Sequence, residues 1–361
     1  MRIGIDAIAA NEEVRTGVGQ YAFSLFHSMM GTTPPGAEVI LYTHKPLRDH
    51  WPTLPVGWTN RVLSWPFPGW RNLRLATEAL CRYHDILFFP AASPTGHVRG
   101  TRMVTTVHDI GCVPRPDLYD PLDRRRQRVL LNRTIKKSDQ LIAVSEFTKR
   151  ELVEHEPSLE ARIRVTPLGV SPMNLAEDER VSVLTRYNIR RPYLLFVGRV
   201  DKKKNLEGLV RGFAAFERKG DYQLVIAGPR GYEYEKIVAC VHASHLVDHV
   251  VFIGPVSERE KAALYTKATR FVSVSSYEGF GLTPLEAACY GVPSVLSDIP
   301  AHTEVMGSHA TYVGQDCPED IARGLNESLA IPHDPAVLRG HARAFSWDKT
   351  AQKTWHILMN N

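Results

Sequence analysis

Short runs of β-branched and other apolar residues recur along the first half of the chain, with helical patterns between several of them. The runs are Ile3–Ala7, Val39–Thr43, Arg61–Ser64, Ile86–Pro90, Met103–Val107, Gln140–Val144 and Ile163–Pro167. The helical stretches include Gly19–Met30, Leu122–Lys136 and Phe147–His155. Strands alternating with helices predict βαβ units, which place a mainly parallel sheet between two helical layers.

Residues 171–192 change character. Ser171-Pro172 opens the stretch, Arg190-Arg191-Pro192 closes it, and the charged run Glu177-Asp178-Glu179-Arg180 lies inside. This reads as a domain linker with room for one short helix. The alternation then restarts at Tyr193–Gly198, Gln223–Ala227, Val250–Ile253, Arg270–Val274 and Ser294–Leu296. Two α/β domains are therefore expected, residues 1–170 and 193–345. Open parallel sheets bind ligands at the carboxyl ends of their strands, so a ligand cleft between the two domains is expected as well.

Length and composition agree with this picture. The 361 residues allow two cores, and 43% hydrophobic with 23% charged residues is ordinary for a globular protein. No run of about 18 uncharged apolar residues suggests a membrane-crossing helix. The start, Met1-Arg2-Ile3-Gly4-Ile5-Asp6, reads directly as a strand and lacks the features of a signal peptide, so a cytoplasmic location is expected. The five cysteines are scattered without a C-x-x-C pair, which fits reduced thiols. The net charge of +5 sits entirely in residues 1–170, which hold 22 basic against 17 acidic side chains; the remainder is balanced at 22 each. Such an excess can attract nucleic acid, an anionic membrane surface or a phosphorylated ligand, or is simply a solvated face.

The segment Ser275-Ser276-Tyr277-Glu278-Gly279-Phe280-Gly281-Leu282-Thr283-Pro284-Leu285-Glu286 follows a strand and enters a helix expected to start at Thr283. A glycine loop opening a helix presents free N–H groups and a positive dipole end to an anion. Glu278 and Glu286 would repel phosphate, so sugar or ribose hydroxyls are their natural partners. A second reading stays open for Glu286, because Thr283-Pro284-Leu285-Glu286 has the form of a capping box. The other segment is Gly198-Arg199-Val200-Asp201-Lys202-Lys203-Lys204-Asn205, at the end of the second domain's first strand. Arg199 and Lys204 suit a diphosphate, and a bound anion would relieve the conflict of cations at a helix N-terminus.

These two segments resemble the donor site of glycosyltransferase family 4, the large retaining family of GT-B fold, and within it the bacterial GDP-mannose-dependent α-mannosyltransferases. The resemblance extends over nearly the whole chain, through Thr16-Gly17-Val18-Gly19-Gln20-Tyr21, Val107-His108-Asp109, Val144-Ser145-Glu146-Phe147 and Phe345-Ser346-Trp347. It implies two Rossmann-like domains, with a terminal helix near 347–358 crossing back to the first. It also implies that Arg199 and Lys204 hold the diphosphate and that Glu278 and His108 meet the donor sugar. Gly17, Gly19, Gly279, Phe280, Gly281 and Leu282 then line the donor, with Glu286 on ribose and Val256 added to the same donor-binding set. Leu168-Gly169-Val170-Ser171 departs from the family's frequent Asn-Gly-Val-Asp and receives no role.

The expected function is thus transfer of a hexosyl group with retention, with GDP-mannose the first donor to test and a glycan or lipid-linked surface glycan as acceptor. No Asp-x-Asp and no metal-ligand spacing occurs, so no metal or other cofactor is expected. No nucleic-acid partner is expected either. Two rival classes remain: a nucleotide-sugar-binding or scaffold protein without turnover, and a nicotinamide-dependent dehydrogenase. The second rests on Gly17-x-Gly19-x-x-Ala22 with Glu38 beyond it. That fingerprint should follow its strand at once, whereas residues 8–16 intervene, and Glu38 precedes the second strand instead of ending it. Finally, Arg124, Arg125, Arg126 and Arg128 form a basic helix, and Trp51, Trp58, Trp65 and Trp70 gather in one Pro-rich stretch. Together they suit an anionic membrane surface or acceptor; the alternative is a solvated helix and ordinary loop packing.

Overall fold

A computed structural model describes residues 1–67, 69–91, 94 and 98–360. The chain divides into two compact units. The first comprises Met1–Val113, Leu122–Gly169 and Ser346–Asn361, and the second Pro114–Pro121 and Val170–Phe345.

The first unit contains β1 (Arg2–Asp6), α1 (Gly17–Gly31), β2 (Glu38–Thr43), β3 (Trp58–Val62), α2 (Ala76–Cys81), β4 (Ile86–Phe89), β5 (Arg102–Val107), α3 (Pro121–Lys137), β6 (Gln140–Ala143), α4 (Glu146–His155) and β7 (Ile163–Val165). Its seven strands lie in the order β3-β2-β1-β4-β5-β6-β7, and every pairing is parallel. The central strands carry Ile3, Ile5, Phe88 and Val104 fully buried, the near-continuous apolar reading of a sheet covered on both faces. The expected strand at 61–64 is displaced to Trp58–Val62. As an edge strand it needs no apolar run: three of its five residues are exposed, and its register is set by Val39 opposite Trp58. Arg71–Leu75, a π-helical turn leading into α2, adds a helix that apolar patterning missed.

The second unit contains α5 (Glu177–Arg186), β8 (Tyr193–Val197), α6 (Leu206–Ala215), β9 (Gln223–Ala227), α7 (Tyr234–Ala243), β10 (Val250–Gly254), α8 (Glu258–Lys267), β11 (Arg270–Ser273), α9 (Leu282–Cys289), β12 (Ser294–Ser297), α10 (Pro300–Met306), β13 (Thr311–Val313), α11 (Pro318–Ala330) and α12 (Pro335–Ala342). Its six parallel strands run β10-β9-β8-β11-β12-β13. Phe196, Leu209, Phe213, Ile226, Ile321 and Leu325 form the core between this sheet and the pair α6 and α11. Those helices approach closely because Gly212 faces Ile321, where any added Cβ would come within 2.4 Å of the isoleucine.

The stretch expected as a linker is part of this unit. Glu260 in α8 accepts from Arg186 Nη1 at 2.7 Å and from the Tyr187 hydroxyl at 2.8 Å, and further ion pairs join Glu177 to Lys267 and Glu179 to Arg259. The last helix, α13 (Trp347–Met359), belongs to the first unit. Trp355 is buried there, its indole N–H donating to the Met29 carbonyl at 3.2 Å and its ring meeting Trp58 edge-on. Gly169 accommodates this helix, since a Cβ on it would lie 2.3 Å from the Trp347 nitrogen.

Candidate active site

In the second sheet the strand order reverses between β8 and β11, which are neighbours although three strands apart by number. The chain leaves these strands in opposite directions, so the loops at their carboxyl ends part and open a crevice; this switch point is where open α/β sheets take ligands. Both segments singled out in the sequence lie there. Gly198–Lys204 follows β8 and Ser275–Gly281 follows β11, and the Ser276 N–H donates to the Lys203 carbonyl at 2.9 Å. A third loop, after β9, lies against the first. A Cβ on Gly228 would fall 1.8 Å from the Gly198 oxygen, so only glycine permits this approach.

The structure brings Lys204 and Glu278 into one ion pair of 2.5 Å, with the side chains 16% and 14% exposed. Ser275 Oγ donates to the same Glu278 oxygen at 2.8 Å. Burial alone would raise the Glu278 pKa. The positive charge of Lys204, then of Lys203, outweighs burial and holds it at about 2. The carboxylate is therefore an acceptor only, and it fixes the direction of the Lys204 ammonium. Lys202–Lys204 form a tight 3-10 turn, closed by Asn205 in the left-handed region at φ 51°. The Asn205 amide donates to the carbonyls of Val274 and Gln315 at 3.2 and 2.7 Å, which ties this turn to the ends of β11 and β13. Arg199 is exposed, with its Nε 2.8 Å from a Cβ built on Gly231. Asp201 beside it is raised above the ordinary carboxyl range by burial, against the pull of Lys204, Lys203 and Arg199.

Helix α9 begins at Leu282, one residue earlier than expected, and its N-cap is Gly281 at φ 94° with no side-chain cap. Capping is therefore not the role of Glu286. Its two oxygens accept from Lys261 Nζ at 2.7 Å and from the Tyr265 hydroxyl at 3.0 Å. Lys261 also meets Glu258 at 3.0 Å. Its burial would favour the neutral amine, but the two carboxylates prevail and keep the ammonium charged. Lys261 and Tyr265 come from α8, and nothing in their local sequence set them apart; a lysine among the alanines of a helix's buried face was the available signal. Phe280 is buried edge-on against Phe345, Gly279 is buried within the same loop, and Val256 is half-buried in the loop ahead of α8. Arg115 is a further addition from early in the chain. It belongs to the second unit, pairs with Asp117 and donates to the Ser276 carbonyl at 3.4 Å.

Gly17, Gly19, His108 and the arginines of α3 belong to the first unit. Thr16 caps α1 by accepting from the Gly19 N–H. Gly19 has a steric reason to be glycine, because a Cβ would come 2.6 Å from the Ala9 oxygen, whereas Gly17 faces open space. The strand β1 ends at Asp6 and Glu38 opens β2, so the geometry of a dinucleotide fingerprint is absent here. His108 donates from Nε2 to the Pro90 carbonyl at 2.8 Å and packs edge-on against Tyr21. Burial lowers its pKa, which leaves Nδ1 the acceptor of a neutral ring. Arg125, Arg126 and Arg128 are exposed on α3 and Arg124 is half-buried; Leu122, Val129 and Leu130 are exposed on the same helix. Trp51, Trp58 and Trp70 are buried, so they do not form an interfacial belt. Trp51 and Trp58 donate to Asn11 and Thr33, and Trp70 to the Leu63 carbonyl.

The solved structures place this architecture among glycosyltransferases of GT-B fold. Sucrose-phosphate synthase from Thermosynechococcus elongatus matches with a TM-score of 0.76 at 18% identity, covering 99% of this chain and 98% of that one. WaaG, a glycosyltransferase involved in lipopolysaccharide biosynthesis, matches with a TM-score of 0.73 at 14% identity over the full length of both chains. The chain belongs to glycosyltransferase family 4: the model described as Glycosyltransferase Family 4 matches residues 16–173, and that described as Glycosyl transferases group 1 matches residues 185–345. Among characterised relatives, O-antigen chain mannosyltransferase B of Escherichia coli is 30% identical over 286 residues, 76% of this chain and 74% of that protein. The serotype-specific mannosyltransferase WbdA of Escherichia coli is 24% identical, over 96% of this chain but only 45% of its own length. O-antigen chain mannosyltransferase RfbU of Salmonella typhimurium is 25% identical over 68% of this chain and 66% of its own.

Proposed function

We propose that this glycosyltransferase moves a mannosyl group from GDP-mannose, with retention of configuration, onto a glycan or lipid-linked glycan of a bacterial surface polysaccharide. The half-buried Lys204–Glu278 pair at the switch point of the second sheet carries the reading. It is supported by the relatives, of which three separate ones are named mannosyltransferases, two of them O-antigen chain enzymes.

In this reading the diphosphate lies between Arg199, Lys204 and the start of α9. Charge accumulates on the bridging oxygen as the glycosidic bond breaks, and Arg199 and Lys204 meet it in place already, without reorganisation. Glu278 repels phosphate and accepts hydrogen bonds, so it belongs beside the sugar hydroxyls. Glu286, held by Lys261 and Tyr265, keeps lone pairs for a ribose diol. The acceptor hydroxyl attacks from the face the diphosphate leaves, and the departing phosphate takes its proton. Among the described residues no cluster of three His, Cys, Asp or Glu is arranged for a metal. Arg199 and Lys204 carry the leaving-group charge in this reading.

Labelled GDP-mannose with a lipid-linked glycan acceptor tests this. Product should form and survive EDTA, and Arg199→Ala and Lys204→Ala should each lower turnover about a hundredfold or more. Near-normal rates in both folded variants would remove the site assignment. Full loss with EDTA, restored by magnesium or manganese, would remove the metal-free mechanism.

A further inference from the structure

One side chain at the second unit's switch point is not accounted for by the reading above. His302 stands in the first turn of α10, after the carboxyl end of β12, and is completely buried. Its Nδ1 lies 3.1 Å from the Ser297 carbonyl and 3.2 Å from the Ser297 hydroxyl. The Ser297 hydroxyl already donates to the Ser275 carbonyl at 2.7 Å, so both atoms facing Nδ1 are acceptors. The proton must therefore sit on Nδ1. Burial pushes the ring's pKa down, which keeps it neutral and leaves Nε2 with a bare lone pair.

That lone pair has no hydrogen-bond partner among the described residues. A buried acceptor without a donor destabilises the fold, and such groups persist where a ligand satisfies them. The position of Nε2 indicates which ligand. The adjoining ring carbon, Cδ2, would lie 3.3 Å from a Cβ on Gly281, so the ring packs directly against the N-cap of α9. Glu278 is its principal charged neighbour and Lys204 the next. Resting on the donor reading given above, we infer that His302 is a donor-positioning residue, whose Nε2 accepts a hydrogen bond from a hydroxyl of the donor sugar beside Gly281. Ser275 links the two acceptors: its hydroxyl holds Glu278 and its carbonyl holds the serine that orients His302. Glu278 and His302 are then acceptors fixed by one residue, and together they would read more than one hydroxyl of the same hexose.

The test compares the intact protein with His302→Phe and His302→Gln by calorimetry. GDP-mannose, UDP-glucose and dTDP-rhamnose are each titrated against the matching nucleoside diphosphate. For whichever sugar nucleotide the wild type binds, His302→Phe should weaken it about tenfold while the bare diphosphate binds as before. His302→Gln, which restores a side-chain acceptor, should recover part of the loss. The phenylalanine variant loses the bare Nε2 acceptor but also the Nδ1 bond to Ser297, so the melting temperature of each variant is measured first to establish that it is folded. Equal losses for sugar nucleotide and diphosphate would reduce His302 to a support of the loop, and no loss for either would remove it from the site; both results overturn the inference. If His302→Phe does not fold, His302→Asn, whose amide falls short of the same position, carries the comparison. Should the wild type bind the diphosphates but none of the sugar nucleotides, the donor reading fails and His302 loses its assigned ligand with it.

Discussion

Glu278 lies within 2.5 Å of a lysine in a setting where a lone carboxylate would take up a proton. Its folded pKa, about 2, is below the ordinary value of 4.5. A depressed carboxyl contributes stability that is fully present above the unfolded pKa and is lost as pH falls through the folded one. The window for this group therefore runs from about pH 4.5 down to about 2. In Lys204→Met the main opposing charge is gone, burial dominates, and the Glu278 pKa rises. Donor binding in that variant should acquire an acidic limb at higher pH than in wild type, and a pH series of affinities checks it. Glu286→Gln makes a different case. Because Glu286 neutralises the buried Lys261, the neutral amide leaves that ammonium with Glu258 alone. Stability should fall by about 2–3 kcal/mol, together with nucleotide affinity. An unchanged melting temperature would show that Glu258 suffices. Both glutamates and Lys204 were singled out from sequence; Lys204 and Glu278 lie in the loops after β8 and β11, and Glu286 lies within α9. Sequence could not give Lys261 or His302, whose meaning depends on packing between helices and loops far apart in the chain.

At the scale of elements, the loop into α9 depends on one backbone angle. Gly281 holds φ 94°, which L side chains rarely adopt, and Gly281→Ala would also press a methyl group toward His302. The variant should lose about 1–2 kcal/mol of stability, seen as a lower denaturation midpoint. The start of this helix was legible to one residue, but its cap was not. Thr283-Pro284-Leu285-Glu286 satisfies the capping pattern in letters while Glu286 points to α8. Edge strand β3 was misplaced because its exposure removes the apolar signal. Helix α5 is the one short helix allowed for in the stretch read as linker, but its charges pair with α8, which makes it part of the second unit. Helix α3 carries exposed Leu122, Val129 and Leu130 among exposed arginines, an arrangement suited to an anionic interface. Sedimentation with anionic vesicles should be measurable at low salt and weak at high salt. Replacing Arg124, Arg125, Arg126 and Arg128 with serine should abolish it while donor binding stays unchanged. Wild type that stays in the supernatant at low salt would leave the helix a solvated face.

Across the whole molecule, alternation of strands and helices predicted two parallel α/β sheets, and both are present. No helix among the described residues is long and apolar enough to cross a membrane. Pattern could not show that the first unit is discontinuous. Its missing cover comes from α13, where Trp355 is buried against α1 and Trp58. Trp355→Ala should cost about 3–5 kcal/mol. Hydrogen exchange should place the damage in the first unit, with the second sheet as protected as in wild type.

This arrangement also orders events during synthesis. All seven strands of the first unit leave the ribosome before residue 170, yet the helix that packs on α1 follows only after the whole of Val170–Phe345 has emerged. The nascent first unit must wait with the α13-binding side of α1 uncovered while the second unit is made and can fold around its own core. Full protection of α1 on stalled nascent chains should therefore appear only once residues beyond Trp355 are free of the exit tunnel.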